Sequence, residues 1–376
     1  KNDFDPNHSQ SEKLAKNLLA DTETSRAKNL YQILEDLNIQ LGLIPSIDQG
    51  LITDLDSLVV SGDGSILQTA ASCRGKPACN CRLEGRYKCD HDRYYTSPTA
   101  KWCYDHVQNA FVFGDRYYHI VTTQAGHDFP LITCMFGGNE SDYTLSLTTF
   151  DRLEKALREN GLDISIAAFI GDGHHDAYAH YHFFKEKNVL PIIPLSKPSQ
   201  EAFPHLPDDN VRLDTDGIPL CPEGKRMRHH CYDKKQHKHI YNCPAKRNTH
   251  RQGSSVYVFH KQECPVQQDC NPQSSLGPFV YLKSSTDPRL FPPLPRSSPK
   301  FKELMNQRSA SERCNFINDS YGLEGASRNA DYGLIRLTLA NIAHHATVRY
   351  NESKKQQADK DALTRFSESL SEVSAV

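Results

Sequence analysis

Long apolar runs are absent from this chain of 376 residues. A helix that crosses a membrane needs about 20 consecutive, mostly apolar residues, and no stretch here approaches that length. The sequence also lacks the basic start, short apolar stretch and small-residue cleavage site that together mark a secretory signal. We therefore expect a soluble protein of the cell interior.

Methionine is scarce, with three in the chain, and the first residue is Lys1 rather than methionine. We therefore expect the reading frame to be incomplete at its start. Residues 1–50 are polar but carry apolar side chains at helical spacing, in "EKLAKNLLA" and "AKNLYQILEDLNIQLGL". This pattern predicts a helical segment, which fits a truncated DNA-binding region.

Net charge is nearly absent, at −2, and this argues against a protein that is basic throughout. The balance hides a basic stretch, because residues 221–251 contain nine Lys or Arg against two acids. Basic side chains interleaved with His and Tyr are typical of surfaces that neutralise phosphates, although a solvated loop has the same composition. The predicted DNA contacts in this stretch are Lys225, Arg226, Arg228, Lys234, Lys235, Lys246 and Arg247.

Cysteine, in contrast, is abundant, with twelve residues and no secretory signal, and in a reducing compartment this favours metal binding over disulfides. The turns "CPEG", "YNCP" and "ECPVQQDC" resemble those of zinc ribbons. They make Cys221, Cys243, Cys264 and Cys270 candidate ligands of a structural zinc ion. An earlier set is a second candidate, with free structural thiols as the alternative for both: Cys73, Cys79, Cys81 and Cys89, with His91 just beyond.

The order of apolar patterns predicts an α/β protein. Within residues 51–195, "SLVVSGDGSIL" reads as a strand that ends in a turn, and "NAFVFGDRYYHIVTTQ" and "PLITCMFGG" read as a hairpin around the turn-like "AGHDFP". After a helical segment, "ISIAAFIGDG", "DAYAHYHFFKEKN" and "VLPIIPL" read as a strand, a helix and a parallel strand. Residues 196–300 are rich in Pro, Gly, Cys and His and read as an inserted, partly β subdomain. Residues 301–350 return to helical spacing, and residues 351–376 form a polar tail.

Three acidic residues stand out by position. Asp63 is predicted at the end of the first strand, Asp172 at the end of the fourth, and Glu312 in a helix after the insertion. The ends of adjacent strands and a flanking helix meet at one edge of an open sheet. Three carboxylates that converge repel one another unless cations neutralise them, and hard oxygen ligands suit Mg²⁺ or Mn²⁺. Two such ions can clamp the attacking and leaving oxygens of a phosphodiester.

Four blocks of sequence, in this order and spacing, resemble the DDE transposases of bacterial insertion sequences. They are "VVSGDGSILQTA", "FVFGDRYYHIVTT", "FIGDGHHDAYAHYHFFKEKNVLPIIPL" and "RSASERCNFINDSYGLEG", and the resemblance spans roughly residues 51–350. It implies an RNase H-like mixed sheet flanked by helices, with the Cys-rich insertion between the second Asp and the Glu helix.

The resemblance also implies an activity and its residues. Asp63, Asp172 and Glu312 would be the DDE triad that binds Mg²⁺ or Mn²⁺, cuts DNA at transposon ends and joins the ends to target DNA. Arg308, one helical turn before Glu312, would contact a phosphate. A homodimer on double-stranded DNA, in the bacterial cytoplasm and associated with the nucleoid, is implied as well. The sequence departs from the family at Met305, where a Tyr is usual, and at Asp319, where a Lys or Arg is common.

Two alternatives remain open from the residues. The stretch "GDGHHDAYAH" offers Asp172, His174, His175 and Asp176 as the ligand cluster of a metal-dependent nuclease or phosphohydrolase. Alternatively, the chain is a decayed, non-catalytic DNA-binding protein stabilised by zinc.

Overall fold

The computed structural model describes residues 9–20, 28–105, 108–196, 211–214, 216–251, 254–284, 287–323 and 325–373. The chain divides into two compact units. We call Thr22–Ala167 with Arg308–Val376 the sheet unit, and Lys1–Asp21 with Ala168–Gln307 the insertion unit.

In the described part of the chain, three α-helices come first, followed by a run of six strands, a region where helices and strands alternate, a second run of strands and three final α-helices. The strands are β1 (Leu58–Gln68), β2 (Lys76–Pro77), β3 (Arg93–Tyr94), β4 (Lys101–Asp105), β5 (Ala110–Gln124), β6 (His127–Phe136), β7 (Ile166–Ile170), β8 (Leu190–Ile192), β9 (Arg228–Asp233), β10 (Lys238–Asn242), β11 (Lys246–Arg251), β12 (Ser254–Phe259) and β13 (Phe279–Lys283). The α-helices are α1 (Ser9–Ala20), α2 (Leu30–Asn38), α3 (Ile44–Asp48), α4 (Asp142–Glu159), α5 (Tyr178–Glu186), α6 (Pro299–Met305), α7 (Ser309–Asn318) and α8 (Ala330–Val373). Among these described helices, none is long and apolar enough to span a membrane.

The main sheet is mixed, which confirms the predicted α/β class. Its strand order is β4-β5-β1-β7-β8, and β6 also pairs with β5. Strand β5 pairs antiparallel with β1, β4 and β6. The boundary between the two units falls inside β7, whose last three residues pair in parallel with β8. The predicted strand, helix and parallel strand are therefore confirmed as β7, α5 and β8.

The hairpin predicted between the second and third strands is also confirmed. Strands β5 and β6 are joined at Ala125 and Gly126, which both have positive φ, of 52° and 78°. Glycine adopts such a conformation at little cost, so the "AG" pair supplies the turn. The hairpin brings two long, largely buried strands together in the centre of the sheet unit.

The end of β1 differs from the prediction. The sequence "SGDGS" was expected to close the strand in a turn, but β1 continues through it to Gln68, so Asp63 lies in mid-strand. Neither glycine has positive φ. A Cβ on Gly62 would lie 2.8 Å from Cε1 of Tyr118, a fully buried ring. The glycine is therefore needed for close packing against Tyr118, which a single sequence cannot distinguish from a turn.

The insertion unit has its own small core. Strands β13-β10-β9 form one antiparallel sheet, and β11 and β12 form a hairpin. The core cluster consists of Ile218, Met227, Tyr241, Leu282 and Phe291. This observation agrees with the predicted partly β insertion.

Candidate functional site

Asp63 lies on the face of the sheet that helix α7 covers. It is directly opposite His119 in the β1–β5 register, and opposed residues of an antiparallel pair point to the same face. The ring Nε2 of His119 lies 3.0 Å from the carbonyl oxygen of Ser311 on α7. Asn315, also on α7, donates from Nδ2 to Oδ2 of Asp63 at 3.4 Å, although the two residues are 252 positions apart. The fold therefore brings the helix that follows the insertion onto the strand that carries Asp63.

Helix α7 is fixed on the sheet by apolar packing and one ion pair. Ala310 and Cys314 pack against Val121 of β5 in a small buried cluster. Arg313 donates from Nε and Nη2 to both carboxylate oxygens of Asp128, at 2.6 and 2.8 Å. Such two-pronged guanidinium–carboxylate pairs fix geometry as well as charge. The rotation of α7 on the sheet is therefore well determined.

Glu312 lies on α7 one turn before Asn315. Its carboxylate is about half exposed and accepts from Nη2 of Arg308 at 2.6 Å, four positions earlier. The predicted helical spacing of Arg308 and Glu312 is therefore confirmed, and Asp63 and Glu312 both belong to the sheet unit. Surface pairs of this kind contribute little to stability, so the carboxylate can exchange its partner easily.

A second acid, Asp319, acts on the same tyrosine as Asp63. Tyr117 donates to Oδ1 of Asn315 at 2.8 Å. Burial, and then the negative charges of Asp319 and Asp63, raise the pKa of Tyr117 well above its usual range. At position 319, the DDE transposases that the sequence resembles commonly have a Lys or Arg. Here Asp319 places negative charge beside Tyr117 instead. Neither this role nor the Asn315 contact was predicted, because each depends on a long-range contact; the i, i+3 spacing of Asn315 from Glu312 was the available signal.

Asp172 belongs to the insertion unit, directly after β7. It caps the short 3₁₀ turn Gly173–His175 by accepting from the backbone N–H of His174 at 2.9 Å. Its Oδ2 lies 2.8 Å from Nδ1 of His174, and its Oδ1 lies 2.7 Å from Nδ1 of His175. Burial acts to raise the pKa of Asp172, but the hydrogen bonds from the two histidines outweigh it and hold that pKa far below its usual range. The two histidines therefore keep this carboxylate ionised.

Asp176 takes no part in the contacts between Asp172 and the two histidines. Its side chain is fully buried and pairs with Nη1 of Arg289 at 2.9 Å. It also accepts from the backbone N–H of Ser196 and from the hydroxyl of Tyr181. These three donors occupy the carboxylate, so the four-residue cluster of the nuclease alternative is not assembled.

Most of the basic residues predicted to contact DNA have partners inside the insertion unit. Lys246 is buried, with its Nζ 2.9 Å from Oδ2 of Asp269, and Arg247 pairs with Glu263 at 2.9 Å. Arg226 pairs with Asp214 and Asp216, Lys225 donates to the carbonyl of Glu263, and Arg228 donates to Asn242 and to the carbonyl of Lys246. Lys234 and Lys235 lie exposed in the β9–β10 turn. Their contact with DNA stays a prediction.

The cysteines form two groups, as the sequence indicated. After burial, the charges of Cys264, Cys243 and Cys221 raise the pKa of Cys270, so these four thiols are neighbours. A tighter group is formed by Cys79, Cys81, Cys89 and His91, whose ligand atoms all lie within 4.8 Å of one another. In the described part of the chain, no other set of His, Cys, Asp or Glu meets that spacing. The first group, rather than the second, therefore has the geometry that could hold a zinc ion.

Neither a protein-family model nor a curated protein matches this sequence. Among solved structures, the Mos1 transposase paired-end complex with left transposon end is 14% identical, with a TM-score of 0.21 over 50% of this chain and 52% of that chain. The Drosophila P element transposase strand transfer complex is 10% identical, with a TM-score of 0.19 over 91% of this chain and 81% of that chain. This chain thus spans about half the length of the Mos1 protein.

Proposed function

We propose that this protein is a DDE transposase with an RNase H-like catalytic domain of the bacterial insertion-sequence type. It would cut DNA at transposon ends and transfer the ends to target DNA. The observation that carries the proposal is the docking of α7 on β1: Asn315 donates to Asp63, and Glu312 lies one turn away on the same helix. Asp63 and Glu312 are remote in the chain, and this docking supports a shared role for them.

The donor set suits a hard divalent cation. Asp63, Asp172 and Glu312 offer only carboxylate oxygens, which Mg²⁺ and Mn²⁺ prefer. The Glu312 carboxylate is about half exposed, so it can reach a ligand from solvent. Bound there, the cations would neutralise the acids, activate water and stabilise the charge that develops on the phosphate.

The neighbouring side chains have supporting roles in this proposal. His174 and His175 hold both oxygens of Asp172, so that it binds as the carboxylate. Asn315 orients Asp63 through a neutral donor that adds no competing charge. Arg308 is paired with Glu312, and if Glu312 held a cation, the guanidinium of Arg308 would be available to contact a DNA phosphate.

The partner in the proposal is double-stranded DNA, both the transposon ends and the target, held by a homodimer. The exposed lysines of the β9–β10 turn, Lys234 and Lys235, are the strongest remaining candidates for phosphate contacts in the insertion. A bacterial cytoplasmic, nucleoid-associated location follows from the same proposal.

The test is DNA cleavage with Mg²⁺ or Mn²⁺ on a duplex that carries the element's own ends. Asp63→Asn, Asp172→Asn and Glu312→Gln should each lower the cleavage rate by on the order of 10³-fold or more. Glu303→Gln is the matched control, because Glu303 is an exposed helical acid that pairs with Lys300 at 2.7 Å, much as Glu312 pairs with Arg308. That variant should cleave like the parent protein.

The alternatives give different results. A nuclease that uses the histidine cluster would lose activity in His174→Ala and His175→Ala but keep it in Asp63→Asn and Glu312→Gln. A non-catalytic DNA-binding protein would bind the duplex and cleave it with neither metal. Either result would overturn the transposase proposal.

A further inference from the structure

The loop between β1 and β4 has almost no hydrophobic core of its own. In residues 71–94, all of which the structure describes, Cys81 is the one buried side chain. The regular structure of this loop is limited to the β2–β3 ladder, with two pairs, Lys76 with Tyr94 and Pro77 with Arg93. An isolated two-stranded ladder of this size is not stable in water, and burial of one thiol does not offset the entropy of ordering the loop.

The buried thiol lies inside a group of four potential ligands. Two ligand pairs come from two arms of the loop, Cys79 and Cys81 from one and Cys89 and His91 from the other. Sγ of Cys79 is 3.6 Å from Sγ of Cys89, and Sγ of Cys81 is 3.4 Å from Nδ1 of His91. Between the arms the chain turns back at Gly85, which has φ of 76°, and the N–H of Arg86 bonds to the carbonyl of Cys81 at 2.8 Å.

These separations are those of ligands around one tetrahedral ion. Zinc binds thiolates at about 2.3 Å and imidazole nitrogens at about 2.0–2.1 Å. Tetrahedral angles then imply about 3.8 Å between two sulfurs and about 3.5 Å between a sulfur and a nitrogen. The observed sulfur–sulfur distance of 3.6 Å and sulfur–nitrogen distance of 3.4 Å agree with these expected separations. A disulfide accounts for the group less well, because Cys79 and Cys89 are free thiols and a disulfide between them would leave Cys81 and His91 without a role.

We propose that Cys79, Cys81, Cys89 and His91 bind one structural zinc ion, which folds the loop of residues 71–94. Three thiols release their protons as the ion binds, and the neutral imidazole completes the four ligands. The site does not depend on the proposed transposase activity, because none of its ligands belongs to the carboxylate set. It closes a loop that burial alone leaves without a core.

The direct test is the zinc content of the full-length protein, measured by mass spectrometry of the metal after dialysis. Cys79→Ser and Cys89→Ser should each contain one zinc ion per chain fewer than the parent protein. Cys73→Ser is the matched control, because Cys73 is an exposed thiol of the same loop outside the group, and it should keep the full content. Cys264→Ser reports separately on the later cysteines, so a second ion bound there is not confused with this one.

Two further measurements use the folded parent protein, so that the test does not depend on whether the serine variants fold. Co²⁺ bound to the parent protein should show the absorption of tetrahedral three-thiolate coordination, and His91→Cys should retain the ion with a spectrum shifted towards four thiolates. Trypsin should cut the parent protein at Arg82, Arg86 and Lys88, which are exposed, only after the ion is removed by a chelator. An unchanged zinc content in both Cys79→Ser and Cys89→Ser, or equal trypsin cleavage of this loop with and without zinc, would overturn the proposal.

Discussion

His119 shows how a single buried residue couples the sheet to the candidate site. It is fully buried between Asp63 on β1 and α7, and its Nε2 donates to the carbonyl of Ser311. Burial lowers the pKa of His119 to about 4, and the backbone hydrogen bond offsets this only in part. The imidazole is therefore neutral in the folded protein across the ordinary pH range.

This depressed pKa predicts a loss of stability in acid. The unfolded chain takes up a proton on His119 near pH 6.5 and the folded protein only near pH 4, so the free energy of unfolding falls as the pH drops through that window. Between pH 7 and pH 5 this histidine accounts for a loss of about 2 kcal/mol. His119→Gln keeps a donor for Ser311 and does not titrate, so its loss over the same interval should be smaller by about that amount.

Urea unfolding of the two proteins at both pH values measures the difference. The buried Glu35, whose pKa is raised to about 7 chiefly by burial, acts in the opposite direction, since its folded carboxyl gains a proton over this range. It is common to both proteins and cancels in the comparison. An equal pH dependence in parent and variant would show that His119 is accessible to protons in the folded state.

Individual residues of the candidate site differ in how far one sequence can predict them. Asp63, Asp172 and Glu312 were selected because patterned blocks mark strands and helices and therefore the positions next to them. The contacts of Asn315, the effect of Asp319 on Tyr117 and the Arg313–Asp128 ion pair were not predicted, because each depends on a residue that is remote in the chain. The sequence offered His174 and His175 as metal ligands together with Asp172, and in the structure their ring nitrogens contact the Asp172 carboxylate.

Among the elements, β1 carries the clearest packing constraint. Gly62 lies against the buried ring of Tyr118, where an added Cβ would be 2.8 Å from Cε1. The ring cannot retreat from a packed interior without displacing other side chains. Gly62→Ala should therefore destabilise the protein by about 1–3 kcal/mol, the usual cost of overpacking.

The comparison variant for this prediction is Gly325→Ala. A Cβ added to Gly325 would lie 4.0 Å from its nearest neighbour, Nη2 at the end of the Arg336 side chain. It should change the free energy of unfolding by less than about 0.5 kcal/mol. If Gly62→Ala is no less stable than Gly325→Ala in urea, the close approach of β1 to Tyr118 is wrong, and a turn again becomes the better explanation of the "GDG" motif.

At the scale of elements, local patterns predicted the β5–β6 hairpin and the β7–α5–β8 crossover, since alternation and turn residues specify both. They failed at the end of β1, because glycine has the same meaning in a turn and under a packed aromatic ring. For the cysteines, the local patterns and the structure favour different groups. Turn sequences resembling zinc ribbons favoured the later group, whereas the close set of ligands comes from two loop arms separated by ten positions.

For the whole molecule, the proposed transposase function requires that three carboxylates from separate parts of the chain bind the same cations. Asp63 and Glu312 belong to the sheet unit and Asp172 to the insertion unit. Loss of activity in a variant does not by itself establish a shared metal site, because a distant substitution can also disturb the fold. A measurement that reports where the metal is bound is therefore the most direct test.

Iron-mediated cleavage of the polypeptide provides it. Fe²⁺ takes the place of Mg²⁺, and with ascorbate and peroxide it produces radicals that cut the backbone next to the bound ion. Loading the cysteines with Zn²⁺ beforehand and removing the excess keeps iron from them, because free Zn²⁺ would also compete for the carboxylates. We expect cuts near Asp63, Asp172 and Glu312, all suppressed by excess Mg²⁺ and all lost together in Asp63→Asn. Cuts near Asp172 alone that persist in Asp63→Asn, or no cuts near Asp63 and Glu312, would contradict the shared metal site.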